Sequence, residues 1–273
     1  DVRVMLSRAL SLQLAGKYKD ALKNAVQARE QADVLDWPPL LAAALVVEGK
    51  QLEKTGALKE AETVLRKAYF VAARSGAWDA ASKSAVFLIY NVGSLQARHV
   101  DGIEWARHAE LVLAHAGDHM GLREAGRLSN LATVHLAKGA YSEARALQER
   151  VLVIQEQELG LDHPDVASTL NNLGLVLLNT GATTEAREML QRALTIKEQV
   201  LGRDHPSVAG TLENLASAYS EIGAYAEARV LGERALSIKQ QAYGPSHPEV
   251  AGTFIILATV YRNKGLYTDA LVL

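Results

Sequence analysis

The chain has 273 residues, of which 49% are hydrophobic and 22% charged, with a formal net charge of −2 and no cysteine. This balance of charge gives no electrostatic footprint for nucleic acid or an anionic membrane. The absence of cysteine excludes disulfides and thiol chemistry and suits a reducing cytoplasm. The longest apolar run, residues 38–47, is too short to span a bilayer. We therefore expect a cytoplasmic protein that binds neither nucleic acid nor membrane.

Glycine turns mark the first two predicted helix pairs. Gly16 and Gly56, each followed five residues later by alanine, fit the turn between the two helices of a pair. The Trp-Pro-Pro segment that begins at Trp37 marks the start of the second pair, because proline is tolerated in the first turn of a helix. These landmarks predict helix pairs over residues 1–36 and 37–76.

The third predicted pair, residues 77–117, follows the pattern less closely. Tyr90 and Gly93 look like part of its first helix, and its second helix is expected to open at residues 103–106. This reading puts the turn at the Asp-Gly pair of residues 101–102, since such a pair is a frequent turn signal. The sequence thus predicts an irregular pair at this point of the chain.

From residue 159 onward the chain repeats itself every 42 residues. The segment Leu-Gly-Leu-Asp-His-Pro that starts at Leu159 returns in similar form from Leu201 and again from Tyr243. A fixed period of about 20 to 50 residues predicts stacked supersecondary units. Apolar residues recur at helical spacing on both sides of a glycine, so each repeat is predicted to be two antiparallel helices, A and B. The turn glycines share the period: Gly139, Gly181, Gly223 and Gly265.

One repeat shows a recognisable order of residue types, namely a large residue, leucine, a small residue, an aromatic, glycine, tyrosine and alanine. This order resembles the tetratricopeptide repeat family, whose common repeat has about 34 residues. The longer step, the Asn-Leu pair of helix A and the His-Pro linker resemble the kinesin-light-chain subtype. The resemblance implies an all-α, right-handed superhelical solenoid. The residues that carry it are Leu212, Leu215, Ala216, Tyr219, Gly223, Tyr225 and Ala228.

The whole chain is predicted to be a single solenoid of about seven helix pairs, the last cut short in helix B. A solenoid normally ends in a polar cap, and neither end of the chain has one, so we expect a piece of a longer protein. Apolar helix faces at such ends can stack, and we expect a monomer in which end-to-end contacts are possible. The predicted repeats are 1–36, 37–76, 77–117, 118–160, 161–202, 203–244 and 245–273.

The three histidines that precede proline, His163, His205 and His247, are not expected to bind a common metal. They recur once per repeat, about 10 Å apart at helix packing distances, whereas the ligands of one metal lie about 2 Å from it. We interpret His-Pro as the start of helix A. The candidate N-cap residues are Asp162, Asp204 and Ser246.

One cluster contains metal-like side chains, His115 and His119 with Glu124 nearby, but its spacing matches no metal motif. The sequence also lacks a phosphate-binding loop, a zinc-protease pair and a nucleophile elbow. We therefore predict no metal, no cofactor and no catalytic residue, and no enzyme activity within these residues.

Three asparagines form a ladder at one register of helix A: Asn130, Asn172 and Asn214. The family resemblance implies that helix A lines the concave groove and that this asparagine binds the main chain of a peptide, because its amide both donates and accepts hydrogen bonds. Alternatively, the asparagines brace neighbouring helices, and both roles can coexist. The register places further residues on the groove: Ser129, Thr133, Asn171, Leu175, Glu213, Ser217 and Arg262.

The seventh repeat interrupts the ladder with Ile256, so the groove is expected to change character at its C-terminal end. The groove also lacks the lysine and arginine set with which other tetratricopeptide domains hold a C-terminal carboxylate. The expected partner is therefore an extended or helical segment of a protein or peptide.

We predict a non-catalytic protein-interaction module that binds a protein or peptide segment in its concave groove. A second hypothesis follows from the Trp37 segment and the alanine-rich helices, which resemble repeats behind the kinase domain of bacterial serine/threonine kinases; the chain would then be the regulatory or substrate-docking arm of such an enzyme. A third hypothesis is an architectural scaffold or oligomerisation rod.

Overall fold

In a computed structural model, residues 1–117, 121–245 and 247–265 are described, and all regular structure in these ranges is helical. This confirms the predicted all-α architecture of helix pairs. The odd-numbered helices are the A helices and the even-numbered ones the B helices. The helices are α1 (Val2–Leu14), α2 (Tyr18–Val34), α3 (Pro38–Lys54), α4 (Leu58–Arg74), α5 (Trp78–Tyr90), α6 (His99–His115), α7 (Leu122–Ala137), α8 (Tyr141–Leu159), α9 (Pro164–Asn179), α10 (Thr183–Leu201), α11 (Pro206–Glu221), α12 (Tyr225–Tyr243) and α13 (Pro248–Asn263).

The helices group into two compact bodies, an N-terminal body (Asp1–Leu147) and a C-terminal body (Gln148–Leu273). In the N-terminal body α1 packs on α3, α3 on α5 and α5 on α7, and in the C-terminal body α9 packs on α11 and α11 on α13. In the described parts of each body, successive B helices do not pack on one another to a similar extent. The A helices therefore form the inner layer of each body.

Short hydrophobic side chains let the helices approach closely. The alanine of the A–B turn register is fully buried in described repeats, for example Ala186 and Ala228. Around α11, the buried leucines Leu190, Leu212 and Leu215 fill the space between the A and B layers. Burial of this apolar surface is the main stabilising contribution to such a stack, at about 25 cal/mol per Å².

The A helices of the C-terminal body begin at the His-Pro pairs, but the predicted caps are wrong. The histidine itself is the N-cap: Nδ1 of His163 accepts the backbone N–H of Asp165 at 3.1 Å, and Nδ1 of His205 accepts that of Ser207 at the same distance. His247 does the same with Glu249 at 3.2 Å. Asp162 and Asp204 do not cap, because the extended backbone of the histidine already turns its ring over the first turn. Ser246 lies outside the described residues.

The third helix pair differs from the prediction at its turn. Residues 101–102 lie inside α6, which begins at His99, and α5 continues into a π-helical turn, Asn91–Leu95. Ala97 takes the left-handed conformation, with φ 54°, where other repeats have glycine. Gly102 is not a turn residue. A Cβ on it would overlap the Cα of Gly93 and lie 3.0 Å from the Gly93 nitrogen, so glycine allows two backbones to touch.

Candidate functional site

Asn130 braces two A helices within the N-terminal body. It lies on α7, and its Nδ2 donates a hydrogen bond of 2.8 Å to the backbone carbonyl of Val86 on α5. The side chain is half-buried. The amide of Asn130 therefore already donates a hydrogen bond within the protein.

The two asparagines of the C-terminal body differ from each other. Nδ2 of Asn214 on α11 donates to Oδ1 of Asn171 on α9 at 3.1 Å, which braces neighbouring A helices. Within the described part of the C-terminal body, the amide of Asn172 forms no hydrogen bond, although the side chain is half-buried. An amide in that position has a donor and an acceptor left for another molecule.

The remaining predicted groove residues fall into three groups. Ser129, Thr133, Leu175 and Ser217 are half-buried on inner-layer helices, and the hydroxyls of Thr133 and Ser217 bond to backbone carbonyls one turn earlier, both at 3.1 Å. Arg262 on α13 is exposed. The third group is Glu213 alone, which is described next.

Glu213 is buried, with 9% of its surface exposed. Its carboxylate accepts a hydrogen bond of 2.8 Å from Nζ of Lys239 on α12 and another from the hydroxyl of Thr253 on α13. A carboxylate so placed is already neutralised within the chain. Glu213 therefore links helices of two successive repeats.

Sequence reasoning missed the lysines of the B helices. Lys197 on α10 is buried and donates to the hydroxyl of Thr211 at 2.9 Å and to the carbonyl of Ser207 at 3.3 Å. Burial lowers the pKa of its ammonium group. The 42-residue step from Lys197 to Lys239, matched by the step between Thr211 and Thr253, was the signal that could have revealed them.

The inner layer of the N-terminal body also holds half-buried charges that the sequence did not single out. Nζ of Lys50 lies 5.0 Å from the centre of the Phe87 ring, a cation–π contact. Glu53 accepts a hydrogen bond of 3.3 Å from Nδ2 of Asn91. Burial lowers the pKa of Lys50 and raises that of Glu53. Both ionised forms are thus partly deprived of solvent.

Among the described residues, no group of three or more histidine, aspartate or glutamate side chains is arranged to hold a metal ion. His119, part of the one cluster considered from the sequence, lies outside those residues. In the described parts of the chain, no helix combines the length and the apolarity that a bilayer span requires.

The repeated pattern is decisive for the family. Residues 124–199, 165–241 and 207–273 match the tetratricopeptide repeat, and together these matches span more than half of the chain. The chain belongs to the tetratricopeptide repeat family. This confirms the resemblance drawn from the sequence. Tetratricopeptide repeats form a protein-interaction module that is generally non-catalytic.

Solved structures share the tetratricopeptide fold. One is a kinesin-light-chain protein from Podosopora anserina, whose own repeats are nearly identical to one another. It is 24% identical in sequence to this chain, with a TM-score of 0.57, over 69% of this chain and 89% of its own. The apo form of the quorum sensor NprR from B. thuringiensis is 16% identical, with a TM-score of 0.63, over 100% of this chain and 74% of its own. The apo form of RapI is 15% identical, with a TM-score of 0.65, over 99% and 74%. Among curated proteins, none matches significantly in sequence.

Proposed function

We propose that the inner layer of the C-terminal body binds an extended segment of another protein, with Asn172 as its central polar contact. The observation that carries this proposal is the half-buried amide of Asn172, which has no hydrogen-bond partner in the described part of the C-terminal body. Its amide atoms still reach solvent, so a peptide that pairs with them exchanges water contacts for hydrogen bonds worth about 1 kcal/mol each.

The surroundings of Asn172 suit a peptide backbone. Its amide can donate to a peptide carbonyl and accept from a peptide N–H without reading the side chains. Leu175, one turn further along α9, is half-buried and offers apolar contact. The bond between Asn214 and Asn171 fixes the spacing of α9 and α11. A rigid surface of this kind loses less entropy when it binds.

The other two hypotheses receive less support. The family and the structures described above name no protein kinase, so a docking arm of a bacterial kinase stays a prediction from the sequence. An architectural rod needs no unpaired amide on its inner layer, and Asn172 therefore favours ligand binding over a purely structural role.

The proposal can be tested by panning a random dodecapeptide library against the chain and measuring the affinity of recovered peptides by fluorescence polarisation. Replacing Asn172 by alanine removes one or two hydrogen bonds, so we expect a loss of about tenfold. Leu175→Ala should weaken binding by a similar amount. The control is Arg229→Ala on the B helix α12, where the side chain is exposed and, among the described residues, pairs with Glu233 alone. Unchanged affinity for Asn172→Ala would contradict the proposal.

A further inference from the structure

One register of the B helices contacts the next A helix in successive repeats. Its residues are Gln155, Lys197 and Lys239, each 42 residues after the last. The hydroxyl of Thr169 donates to Oε1 of Gln155 at 2.6 Å, and Nζ of Lys197 donates to the hydroxyl of Thr211 at 2.9 Å. The register thus forms a series of three equivalent positions whose charges can be compared directly.

The first and last positions of this series are balanced in charge. Gln155 meets a threonine, and both groups are neutral. Lys239 is buried beside the carboxylate of Glu213 at 2.8 Å, to which Thr253 also donates, and the exposed carboxylate of Glu249 lies 3.4 Å from the same ammonium group. Each position has therefore matched its polar groups within the chain.

The middle position is not balanced. Lys197 is as buried as Lys239, with 7% of its surface exposed in both cases. No described carboxylate forms a salt bridge with Lys197, and burial alone lowers its pKa. The residue that corresponds to Glu213, 42 positions earlier, is Asn171. A buried ammonium group without a counter-charge is costly, because its attraction to a carboxylate is what offsets desolvation.

Asn171 also differs from Glu213 in its exposure. Its side chain is shorter and half-buried on the inner layer, and its Oδ1 is turned to Asn214. Nζ of Lys197 has three N–H donors, of which Thr211 and the carbonyl of Ser207 occupy two. Since Glu213 reaches Lys239 from the corresponding position, a carboxylate that takes this position beside Asn171 would meet the third ammonium donor of Lys197 and the amide donor of Asn171.

We propose that Lys197 and Asn171 form a subsite for the carboxylate of an aspartate or glutamate side chain in the bound segment. This inference rests on the proposed function, since the carboxylate belongs to a peptide in the inner layer. The arrangement of Glu213 with Lys239 and Thr253 is the internal counterpart of this contact: the chain supplies the acid in one repeat and receives it from the ligand in the preceding one.

The first experiment needs no ligand. Asn171→Glu places an internal carboxylate where Glu213 lies one repeat later, and Asn171→Gln is the matched neutral control. We expect Asn171→Glu to melt about 2 °C or more above Asn171→Gln, because it pairs with Lys197. Equal or lower melting of Asn171→Glu would overturn the inference, because Lys197 would then be inaccessible to a carboxylate from α9.

The second experiment uses the panned dodecapeptides with amidated C-termini, so that their only carboxylates are on side chains. We expect the recovered peptides to share an acidic residue at one position. The peptide in which this acidic residue is replaced by its neutral amide should bind the unaltered chain about thirtyfold more weakly than the acidic peptide does. The two peptides should bind Lys197→Met equally well, and likewise Asn171→Glu. Lys197→Met, an apolar replacement of similar length, tests the cation itself.

The outcomes separate the two proposals. Peptides that bind through Asn172 but carry no shared acidic residue would overturn the carboxylate subsite and leave the proposed function intact. A penalty for the neutral analogue that persists in Lys197→Met would also overturn the subsite, since the acid would then contact another group. If no peptide binds the unaltered chain, both proposals are contradicted.

Discussion

The third helix pair and the regular repeats of the C-terminal body connect neighbouring helices in different ways. In the third pair, the backbones of Gly93 and Gly102 touch, and a π-helical turn and a left-handed Ala97 accompany this contact. In the C-terminal body, side chains at repeated positions such as Lys239 and Glu213 join the helices. The 42-residue period is kept where side chains join neighbouring helices. It is lost in the third pair, where two helix backbones are in direct contact.

The largest expected effect is at the glycine contact. Gly102→Ala adds a Cβ that overlaps the Cα of Gly93 and lies 3.2 Å from the carbonyl oxygen of Ile89, and neither backbone can move aside cheaply. We expect a loss of about 3 kcal/mol in the free energy of unfolding, measured by urea denaturation. The control is Gly126→Ala, also in a helix, where a Cβ meets no atom within 4 Å. That change should stabilise by about 0.5 to 1 kcal/mol, and equal effects of the two would refute the contact.

The next effect concerns the connection that the regular repeats use. Among the described residues, Glu213→Ala leaves the buried ammonium of Lys239 with the carbonyl of Glu249 at 3.1 Å and the exposed carboxylate of Glu249 at 3.4 Å. We expect a loss of about 2 kcal/mol in urea denaturation. Lys197→Met removes a buried cation that no carboxylate of the described residues pairs with, so its effect should stay within about 1 kcal/mol or be stabilising. A loss for Lys197→Met as large as for Glu213→Ala would contradict the difference between the two repeats.

The architecture was predictable because periodicity reports helices and their pairing directly. The 42-residue step and the turn glycines locate the helix pairs after residue 159, and proline locates the starts of α9, α11 and α13. The turn of the third pair was not predictable. Asp101 and Gly102 look like a turn, and only the packing partner Gly93 shows that Gly102 belongs in a helix.

The roles of the asparagines could not be read from their register. Asn214 is braced because its neighbour one repeat earlier is Asn171, and Asn130 is braced because a carbonyl of α5 lies within reach. Asn172 has the same register and no such partner in the described part of the C-terminal body, where α9 is the first A helix. The difference depends on which group of the neighbouring helix lies within hydrogen-bond reach, and a repeat pattern does not encode that.

A smaller effect is expected at the N-caps of the regular repeats. His205→Ala removes the acceptor for the backbone N–H of Ser207, so we expect a loss of about 1 kcal/mol, measured by thermal unfolding. His205→Asp provides another acceptor at the same place and should recover most of that loss. If the aspartate variant were no more stable than the alanine variant, the ring would be acting through its packing rather than as a cap.

The smallest effect is expected at a repeat position that differs between the two bodies. At this position α7 carries His135, and α9 carries Leu177, 42 residues later. Nδ1 of His135 is buried without a hydrogen-bond partner in the described structure, and burial lowers the pKa of the ring. The folded chain therefore takes up this proton less readily than the unfolded chain. The stability that comes from keeping the His135 ring neutral is complete above the ordinary histidine pKa of about 6.5. It is lost as the pH falls from there through the pKa of the ring in the folded chain.

Replacing His135 by leucine, the residue found 42 positions later, should flatten the dependence of the melting temperature on pH between about 7 and 5. The reverse exchange, Leu177→His, should introduce acid sensitivity in the C-terminal body, because Leu177 is buried and its site would also disfavour a charged ring. Melting curves recorded across this range measure both changes. If His135→Leu kept the pH dependence of the unaltered chain, other titrating groups would be responsible, and the registers of the two bodies would not differ in their response to acid.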